Sequence, residues 1–206
     1  MRTTRRPRTL LIALGLAAAV TLAACQAPSP GTNGRPVMGT SNVTAAQMAG
    51  WFNSKGTGGS ATVPVEQLAQ NFLDEGTAEG VAGDLAFVQA MLETGWLRFS
   101  ARMPRQNNNF SGIGAVDNGS GSAAFPTAEL GVRAQIQHLR AYADPTVNVF
   151  TLNRPLVDPR FDLVGKGVAP GWGDFGGGVW ASDPGYSSRI HQLYDGLLAW
   201  AAAHPA

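Results

Sequence analysis

The chain of 206 residues has a single cysteine, Cys25, which lies close to the amino terminus. Without a second cysteine no intrachain disulfide forms, and the region after residue 25 has no thiolate to serve as a nucleophile or metal ligand. The three histidines form neither an HxH nor an HExxH pattern, and the GxSxG and SxxK motifs of serine acyl transfer are also missing. Metal-dependent, cysteine and serine hydrolysis therefore have no signature here.

The first 24 residues have the pattern of an export signal. Four arginines precede the apolar run LLIALGLAAAVTLAA, which is too short for a comfortable transmembrane span. The run ends in Leu-Ala-Ala-Cys25, which resembles a bacterial lipobox. The pattern predicts a lipoprotein signal peptide over residues 1–24 and acylation of Cys25, so that the protein is exported and anchored in the membrane, facing the cell wall. The alternative is an ordinary secretory signal that contains a cysteine.

The charge balance changes once the leader is set apart. The whole chain has 15 basic and 14 acidic residues. Without the four arginines of the leader, 11 basic residues face 14 acidic ones. The basic character therefore belongs to the targeting segment, and the charge gives no indication of nucleic-acid binding.

Proline, glycine, serine and threonine dominate residues 26–40, QAPSPGTNGRPVMGT. We interpret residues 25–40 as a tether that reaches about 20 Å on average by random-coil scaling. Residues 41–206 are long enough for one domain with a core of its own. We expect this domain to be a monomer.

Apolar residues at helical spacing predict five helices, over residues 45–54, 64–80, 85–94, 128–143 and 187–203. Ser41 or Thr44 is expected to cap the first helix and Asp84 the third, which Gly95 ends. Residues 105–127 are rich in polar residues and glycine and predict loops with a small hairpin, and residues 144–180 predict a long loop. The sum is a mainly α, single domain with a small, flexible β-lobe or loop region.

A carboxylate interrupts the apolar run AFVQAMLETGW at Glu93. The side chain is expected beside the apolar stripe of its helix, in the last turn before Gly95. Partial desolvation and the negative end of the helix dipole both raise the pKa of a carboxyl group. Such a group can hold a proton near neutral pH and donate it to a leaving oxygen, as in glycoside cleavage. The alternative is a salt bridge to Arg98 or Arg102.

Other chemistry-bearing residues have plainer interpretations. His138 and His191 are expected at helix surfaces or boundaries. The glycine-rich segment GWGDFGGGVW lacks the Lys-Ser/Thr of a phosphate loop. Its aromatic residues Trp172, Phe175 and Trp180 are expected to pack in the protein or to stack on a ligand.

Three segments carry a family resemblance: AFVQAMLETGW, NNNFSGIGAVD and WASDPGYSSRIHQLYDGLL, in this order. They resemble the glucosaminidase domain of glycoside hydrolase family 73, found in bacterial autolysins, and the resemblance covers residues 44–200. It implies a lysozyme-like α-domain with a mobile β-lobe beside a groove. It also implies an endo-β-N-acetylglucosaminidase that cuts peptidoglycan glycan strands without a cofactor or metal.

The resemblance also assigns residues. Glu93 matches the general acid, Asn107 to Phe110 match the turn that shapes the cleft, and Tyr186 matches a tyrosine facing the active site. The second carboxylate is Asp117 or Glu129, with Asp117 favoured, and if neither approaches Glu93 the substrate's own N-acetyl group takes that role. The residues expected to bind substrate are Trp96, Asn108, Asn109, Phe110, Trp180 and Tyr186.

Two other functions stay open on the sequence alone. A muramidase or lytic transglycosylase shares the lysozyme-like fold and a single helical glutamate. A wall-binding lipoprotein would hold glycan in the same cleft without cutting it.

Overall fold

The computed structural model describes Met1 and residues 34–114 and 122–205. Five α-helices form these parts of the chain: α1 (Ala45–Ser54), α2 (Val65–Glu79), α3 (Gly83–Glu93), α4 (Ala128–Ala143) and α5 (Tyr186–Ala203). Three single-turn 3₁₀ helices lie between them, at Arg105–Asn107, Phe161–Leu163 and Trp172–Asp174. The mainly α, lysozyme-like class predicted from the sequence is confirmed. No helix in the described ranges has the length and apolar character needed to cross a membrane.

Helix α3 lies at the centre of the domain. Nine of its eleven residues are buried. It packs against α2, α4 and α5, while α2 also packs against α1 and α4. Phe72 of α2 meets Phe87 of α3 edge to face, with ring centroids 5.6 Å apart. Because α3 is enclosed on most sides, a polar side chain at its end is held in a largely apolar setting.

Local sequence signals set most helix ends. The Thr44 side chain accepts a hydrogen bond from the Gln47 amide, and the Gln47 side chain bonds back to Thr44, so that α1 begins with the predicted cap. Helix α2 ends at Gly80, whose φ of 71° is the left-handed conformation that glycine adopts readily.

The prediction that Asp84 caps α3 is wrong, because the helix already begins at Gly83. The buried Asp84 carboxylate instead accepts hydrogen bonds from the Asn42 amide at 2.7 Å and the Tyr194 hydroxyl at 2.8 Å. Asp84 therefore connects the segment that precedes α1 with helix α5. Gly83 lies so close to α2 that a Cβ on it would stand 2.2 Å from the Phe72 carbonyl oxygen.

Two buried ion pairs connect α2 with α4. Arg133 donates to both carboxylate oxygens of Glu75, at 2.8 and 2.9 Å. Arg140 donates to Glu79, whose carboxylate also accepts the backbone amides of Asn153 and Arg154. The second pair thus holds part of the long loop as well as the two helices.

Extended structure is sparse in the described ranges, which contain two isolated β-bridges. The region expected to form a small hairpin forms a 3₁₀ turn followed by irregular chain, and residues 115–121 lie outside the described residues. Backbone hydrogen bonds from Ala123 to Ile113 (2.9 Å) and from Phe125 to Asn107 (2.8 Å) bring the two sides of this region together.

Part of the predicted tether lies against the domain. Pro36 bridges Gly171, Met38 bridges Val81, and Val37 between them is fully buried. Residues 2–33, with Cys25, are outside the described residues. The domain therefore includes residues that the composition had placed in the tether.

Candidate active site

Glu93, the last residue of α3, opens onto a pocket of about 390 Å³. Three parts of the chain form its wall: the end of α3, the turn after the asparagine cluster, and the segment that leads into α5. The residues that line it are Leu92, Glu93, Ser111, Gly112, Trp180, Ala181, Tyr186 and Arg189. The pocket thus brings together residues from each of the three segments that carry the family resemblance.

Two donors hold one oxygen of the Glu93 carboxyl. Tyr186 Oη donates to Oε1 at 2.5 Å, and Trp180 Nε1 donates to the same oxygen at 2.9 Å. Among the described residues, Oε2 has no hydrogen-bond partner. It faces Gly112, where an added Cβ would lie 3.9 Å away. The proton of a neutral carboxyl group therefore belongs on Oε2, since Oε1 is occupied as an acceptor.

Burial raises the pKa of Glu93, as the sequence predicts, while the hydrogen bonds from Tyr186 and Trp180 partly offset that rise. Desolvation penalises the charged form, whereas donors aimed at the carboxylate favour it. The net rise in pKa keeps the acid form present at a higher pH than for an exposed glutamate. A group with these properties is suited to proton donation.

The salt-bridge alternative for Glu93 is wrong. Arg98 is exposed and its Nε donates to the Gly95 carbonyl oxygen at 2.8 Å, and Arg102 is also exposed. In the described ranges no cation lies within ion-pair distance of Glu93. Arg189, the cation on the pocket wall, is paired with Asp183 at 2.7 Å.

A directed chain of buried amides stands behind Tyr186. Gln135 Nε2 donates to Gln89 Oε1 at 2.8 Å, and Gln89 Nε2 donates to Tyr186 Oη at 3.0 Å. Because the phenol oxygen already accepts from Gln89, its own proton points to Glu93. Gln89 and Gln135 are fully buried and act as positioning residues. Neither glutamine was predicted as a site residue, although Gln89 lies one helical turn before Glu93.

Trp180 is held in place by a cage of aromatic rings. The His138 ring meets it edge to face at 5.4 Å, and Tyr142 and Phe175 lie 5.8 and 5.7 Å from it. The expectation that His138 lies at a helix surface or boundary is wrong. Its ring is buried, and Nδ1 is paired with the buried Asp158 carboxylate at 2.7 Å.

The turn of Asn108, Asn109 and Phe110 shapes the site from behind the pocket wall. Asn109 is fully buried and its amide donates to the carbonyl oxygens of Ile113 and Ala123. Asn108 donates to the Phe125 carbonyl oxygen at 3.0 Å, and Phe110 packs in the main core. Direct contact of these three side chains with substrate is therefore not supported, because both asparagine amides bond inside the protein and the Phe110 ring is buried.

Trp96 also faces away from the pocket. Its ring packs on Trp51 at 4.9 Å and on Phe52 at 6.3 Å, so the expected role in substrate binding is not supported. Trp172 is fully buried as well. Of the predicted substrate-binding aromatic residues, Trp180 and Tyr186 line the pocket, and both bond to Glu93.

The turn after Glu93 has an unusual backbone. Trp96, Leu97 and Phe99 adopt left-handed φ values of 63°, 58° and 57°. For residues with large side chains such conformations cost on the order of 1 kcal/mol each and concentrate at functional sites. Gly59 passes directly against this turn, where a Cβ would stand 1.9 Å from the Trp96 carbonyl oxygen.

The two candidates for the second carboxylate differ in what is known of them. Glu129 is in the first turn of α4, with 55% of its side chain exposed, and it pairs with Arg133 at 2.7 Å. It does not line the pocket at Glu93. Asp117 lies outside the described residues, so its role stays a prediction.

Comparison with known proteins gives two matches. The glucosaminidase family model, described as mannosyl-glycoprotein endo-beta-N-acetylglucosaminidase, matches residues 69–198, well over half of the chain. A protein of Borreliella burgdorferi (strain ATCC 35210 / DSM 4680 / CIP 102532 / B31), described as an uncharacterized protein, is 38% identical over 136 residues. That alignment covers 66% of this chain and 64% of the relative, so the chain spans just under two thirds of the relative's length. Together with the three ordered motifs, the family match shows that the chain belongs to the glucosaminidase family.

Proposed function

We propose that this protein is a peptidoglycan hydrolase, an endo-β-N-acetylglucosaminidase that cuts glycan strands with Glu93 as the general acid. The observation that carries the proposal is the Glu93 carboxyl at the pocket, with Oε1 held by two donors and Oε2 unpartnered among the described residues. Family membership supports the same class of reaction.

In the proposed reaction, Oε2 of the neutral Glu93 gives its proton to the bridging oxygen between two sugars. The bond from the anomeric carbon to that oxygen breaks, and the leaving sugar departs as an alcohol. Water then adds to the anomeric carbon, and its proton restores the acid. Trp180 and Tyr186 stabilise the Glu93 carboxylate between these two steps through their hydrogen bonds.

A second group must stabilise or attack the anomeric carbon. Among the described residues that line the pocket, Glu93 is the single carboxylate. We therefore assign the second role either to Asp117 or to the acetamido group of the substrate itself. An Asp117→Asn variant separates these routes: a hundredfold loss of activity assigns the role to Asp117, and near-normal activity assigns it to the substrate.

Digestion of purified peptidoglycan, with wild-type protein and a Glu93→Gln variant side by side, tests the main proposal. We expect wild type to release fragments with N-acetylglucosamine at the reducing end, identified by mass spectrometry. The variant is expected to keep its fold and to lose at least about a hundredfold of the rate, since general acid catalysis contributes that much.

Other outcomes of this experiment identify other functions. A reducing or 1,6-anhydro N-acetylmuramic acid end would make the protein a muramidase or a lytic transglycosylase. Binding to the wall without any cleavage would make it a wall-binding lipoprotein. Equal clearing by wild type and Glu93→Gln would remove Glu93 from the mechanism.

We also propose that acylated Cys25 anchors the protein in the membrane, with its domain facing the cell wall. The lipobox-like Leu-Ala-Ala-Cys25 segment after an apolar run motivates this proposal. A Cys25→Ala variant is expected to be secreted in soluble form or to accumulate unprocessed. Unchanged membrane fractionation of that variant would contradict the anchor.

A further inference from the structure

A second, smaller cavity of about 160 Å³ lies next to the pocket at Glu93. The two cavities share Ser111, Gly112 and Trp180 in their walls, so they adjoin each other, and we call the smaller one the branch. The residues that line this branch are Ser111, Gly112, Ile113, Gly114, His138, Tyr142, Arg160 and Trp180. A group bound there therefore lies next to the wall of the pocket at Glu93.

The branch has a cation without a counter-ion among the described residues. Arg160 is half-buried, and no ion pair of its guanidinium group occurs in those ranges. Two carboxylates lie two residues from Arg160 along the chain. Asp158 is committed elsewhere, since Oδ2 pairs with His138 and Oδ1 accepts the Arg160 backbone amide at 2.9 Å. Asp162 is exposed and forms no ion pair with Arg160 in the described ranges. Burial raises the pKa of the Tyr142 hydroxyl, and the Arg160 charge acts on the same group and partly offsets that rise.

A second polar group of the branch also lacks a partner among the described residues. Ser111 is 3% exposed, and its Oγ has no hydrogen-bond partner in the described ranges. A buried hydroxyl left unpaired costs free energy unless a ligand or water satisfies it. A half-buried guanidinium group and an unsatisfied hydroxyl that line one cavity match an anion with oxygen acceptors. A carboxylate fits the paired donors of arginine best.

On the proposed function, the strand bound at Glu93 bears such anions. Peptidoglycan differs from other N-acetylated glycans because its alternate sugars carry short peptides, and these peptides have free carboxylates. We infer that the branch binds a carboxylate of the peptide stem, with Arg160 as its main contact and Ser111 as a second donor, so that the enzyme selects strands that still carry their peptides.

The inference rests on the proposed function and is tested with three forms of one substrate. The first is intact peptide-bearing glycan strands, the second the same strands after an amidase has removed the peptides, and the third peptide-bearing strands whose carboxylates have been converted to amides with a carbodiimide and an amine. For each, kcat/KM is measured from the release of reducing ends. Wild type is expected to prefer the first form over both others by about tenfold, the scale of one charge-assisted hydrogen bond.

An Arg160→Gln variant is expected to lose this preference, so that the ratio of kcat/KM on intact and stripped strands falls by about tenfold. Arg154→Gln is the matched control, because Arg154 is an exposed arginine of the same loop and lines neither cavity. It removes the same charge and is expected to leave the ratio as in wild type.

A wild-type rate that is equal on all three substrates overturns the inference while leaving the proposed function intact. The same holds for an unchanged ratio in a folded Arg160→Gln variant. If that variant does not fold, the comparison of native and amidated strands with wild type still decides. Failure of wild type to cut any of the three forms would instead refute the proposed function itself.

Discussion

Tyr186, the first residue of α5, donates a hydrogen bond of 2.5 Å to Oε1 of Glu93, the last residue of α3. The contact joins two helix ends that are 93 residues apart in the chain. The phenol is almost completely buried, and burial together with the neighbouring Glu93 carboxyl raises its pKa well above the ordinary tyrosine value. Tyr186 therefore stays a neutral donor to Glu93 at neutral pH and well above it.

Replacing Tyr186 with phenylalanine removes a donor that lowers the pKa of Glu93. The pKa of Glu93 should rise further. Because the proposed mechanism needs the protonated form, the alkaline limb of the kcat profile should move to higher pH. The rate at the optimum should fall roughly tenfold as the carboxyl loses its orientation. A pH–rate profile of wild type and variant checks both effects.

Tyr194→Phe provides the matched control for that profile. Tyr194 is a buried tyrosine of the same helix, but its hydroxyl bonds to Asp84 and Asn42, away from the pocket. We expect it to lower the stability and to leave the alkaline limb in place. A limb that moves equally in both variants would mean that the shift reflects general loosening of α5.

Gln89→Met should lower kcat although the Gln89 side chain does not line the pocket. It removes the donor that turns the Tyr186 proton toward Glu93. We expect kcat to fall roughly threefold to tenfold with little change in KM, the scale of one neutral hydrogen bond. In a Tyr186→Phe background the same substitution should add almost nothing, because the chain is already broken. Full additivity of the two effects would show that Gln89 acts independently of Tyr186.

Gly112→Ala should block the approach to Oε2. Its Cβ would lie 3.9 Å from that oxygen, in the space that the bridging sugar oxygen must enter. The φ of 73° adds backbone strain of about 1 kcal/mol. We expect a fall in kcat/KM of roughly tenfold or more, measured on purified glycan strands. Gly56→Ala is the control, because its φ of 59° is similar and its Cβ meets nothing within 4 Å. It should cost similar stability and leave the activity unchanged.

Two glutamates that pair with arginines of α4 should differ sharply in their contribution to stability. Glu79 is 1% exposed, and its carboxylate accepts hydrogen bonds from Arg140 and from two backbone amides. Glu79→Gln should lower the free energy of unfolding by about 3 kcal/mol, since Arg140 loses its buried counter-ion. Glu129→Gln, at a half-exposed position, should change it by less than about 0.5 kcal/mol.

Denaturant unfolding measures both changes, and wall digestion by Glu129→Gln settles a further point. Because Glu129 pairs with Arg133 and does not line the pocket, we expect the activity of this variant to stay within about twofold of wild type. A loss of a hundredfold would make Glu129 the second catalytic carboxylate after all.

Most helix bounds were predictable because their signals are local. The spacing of apolar residues and the capping residues predict the first and last residues of α1 and α4, and both helices have these bounds in the structure. The start of α3 was not predictable in this way. Gly83 appears helix-breaking in the sequence, yet it is required there because α2 and α3 approach too closely for any side chain.

The candidate site was predictable only where one residue carries its own signal. Glu93 stands out as a charge in an apolar helix, and the family motifs place Tyr186 beside it. The aromatic cage of Trp180 and the pairing of His138 with Asp158 arise from a long irregular loop folding back on α4, and such loops have no periodicity to interpret. Conversely, the asparagine cluster has the composition of a sugar-binding surface, but the side-chain amides of Asn108 and Asn109 donate to backbone carbonyl groups.

Residues 36–38 are bridged to the start of α3 and to the loop before α5. If the protein is anchored at Cys25, this contact shortens the free segment between the anchor and the domain. Residues 25–33 then connect the proposed lipid anchor to the described domain, and nine residues span at most about 30 Å when fully extended. On the proposed anchor and the proposed function, this length limits cleavage to glycan strands close to the membrane.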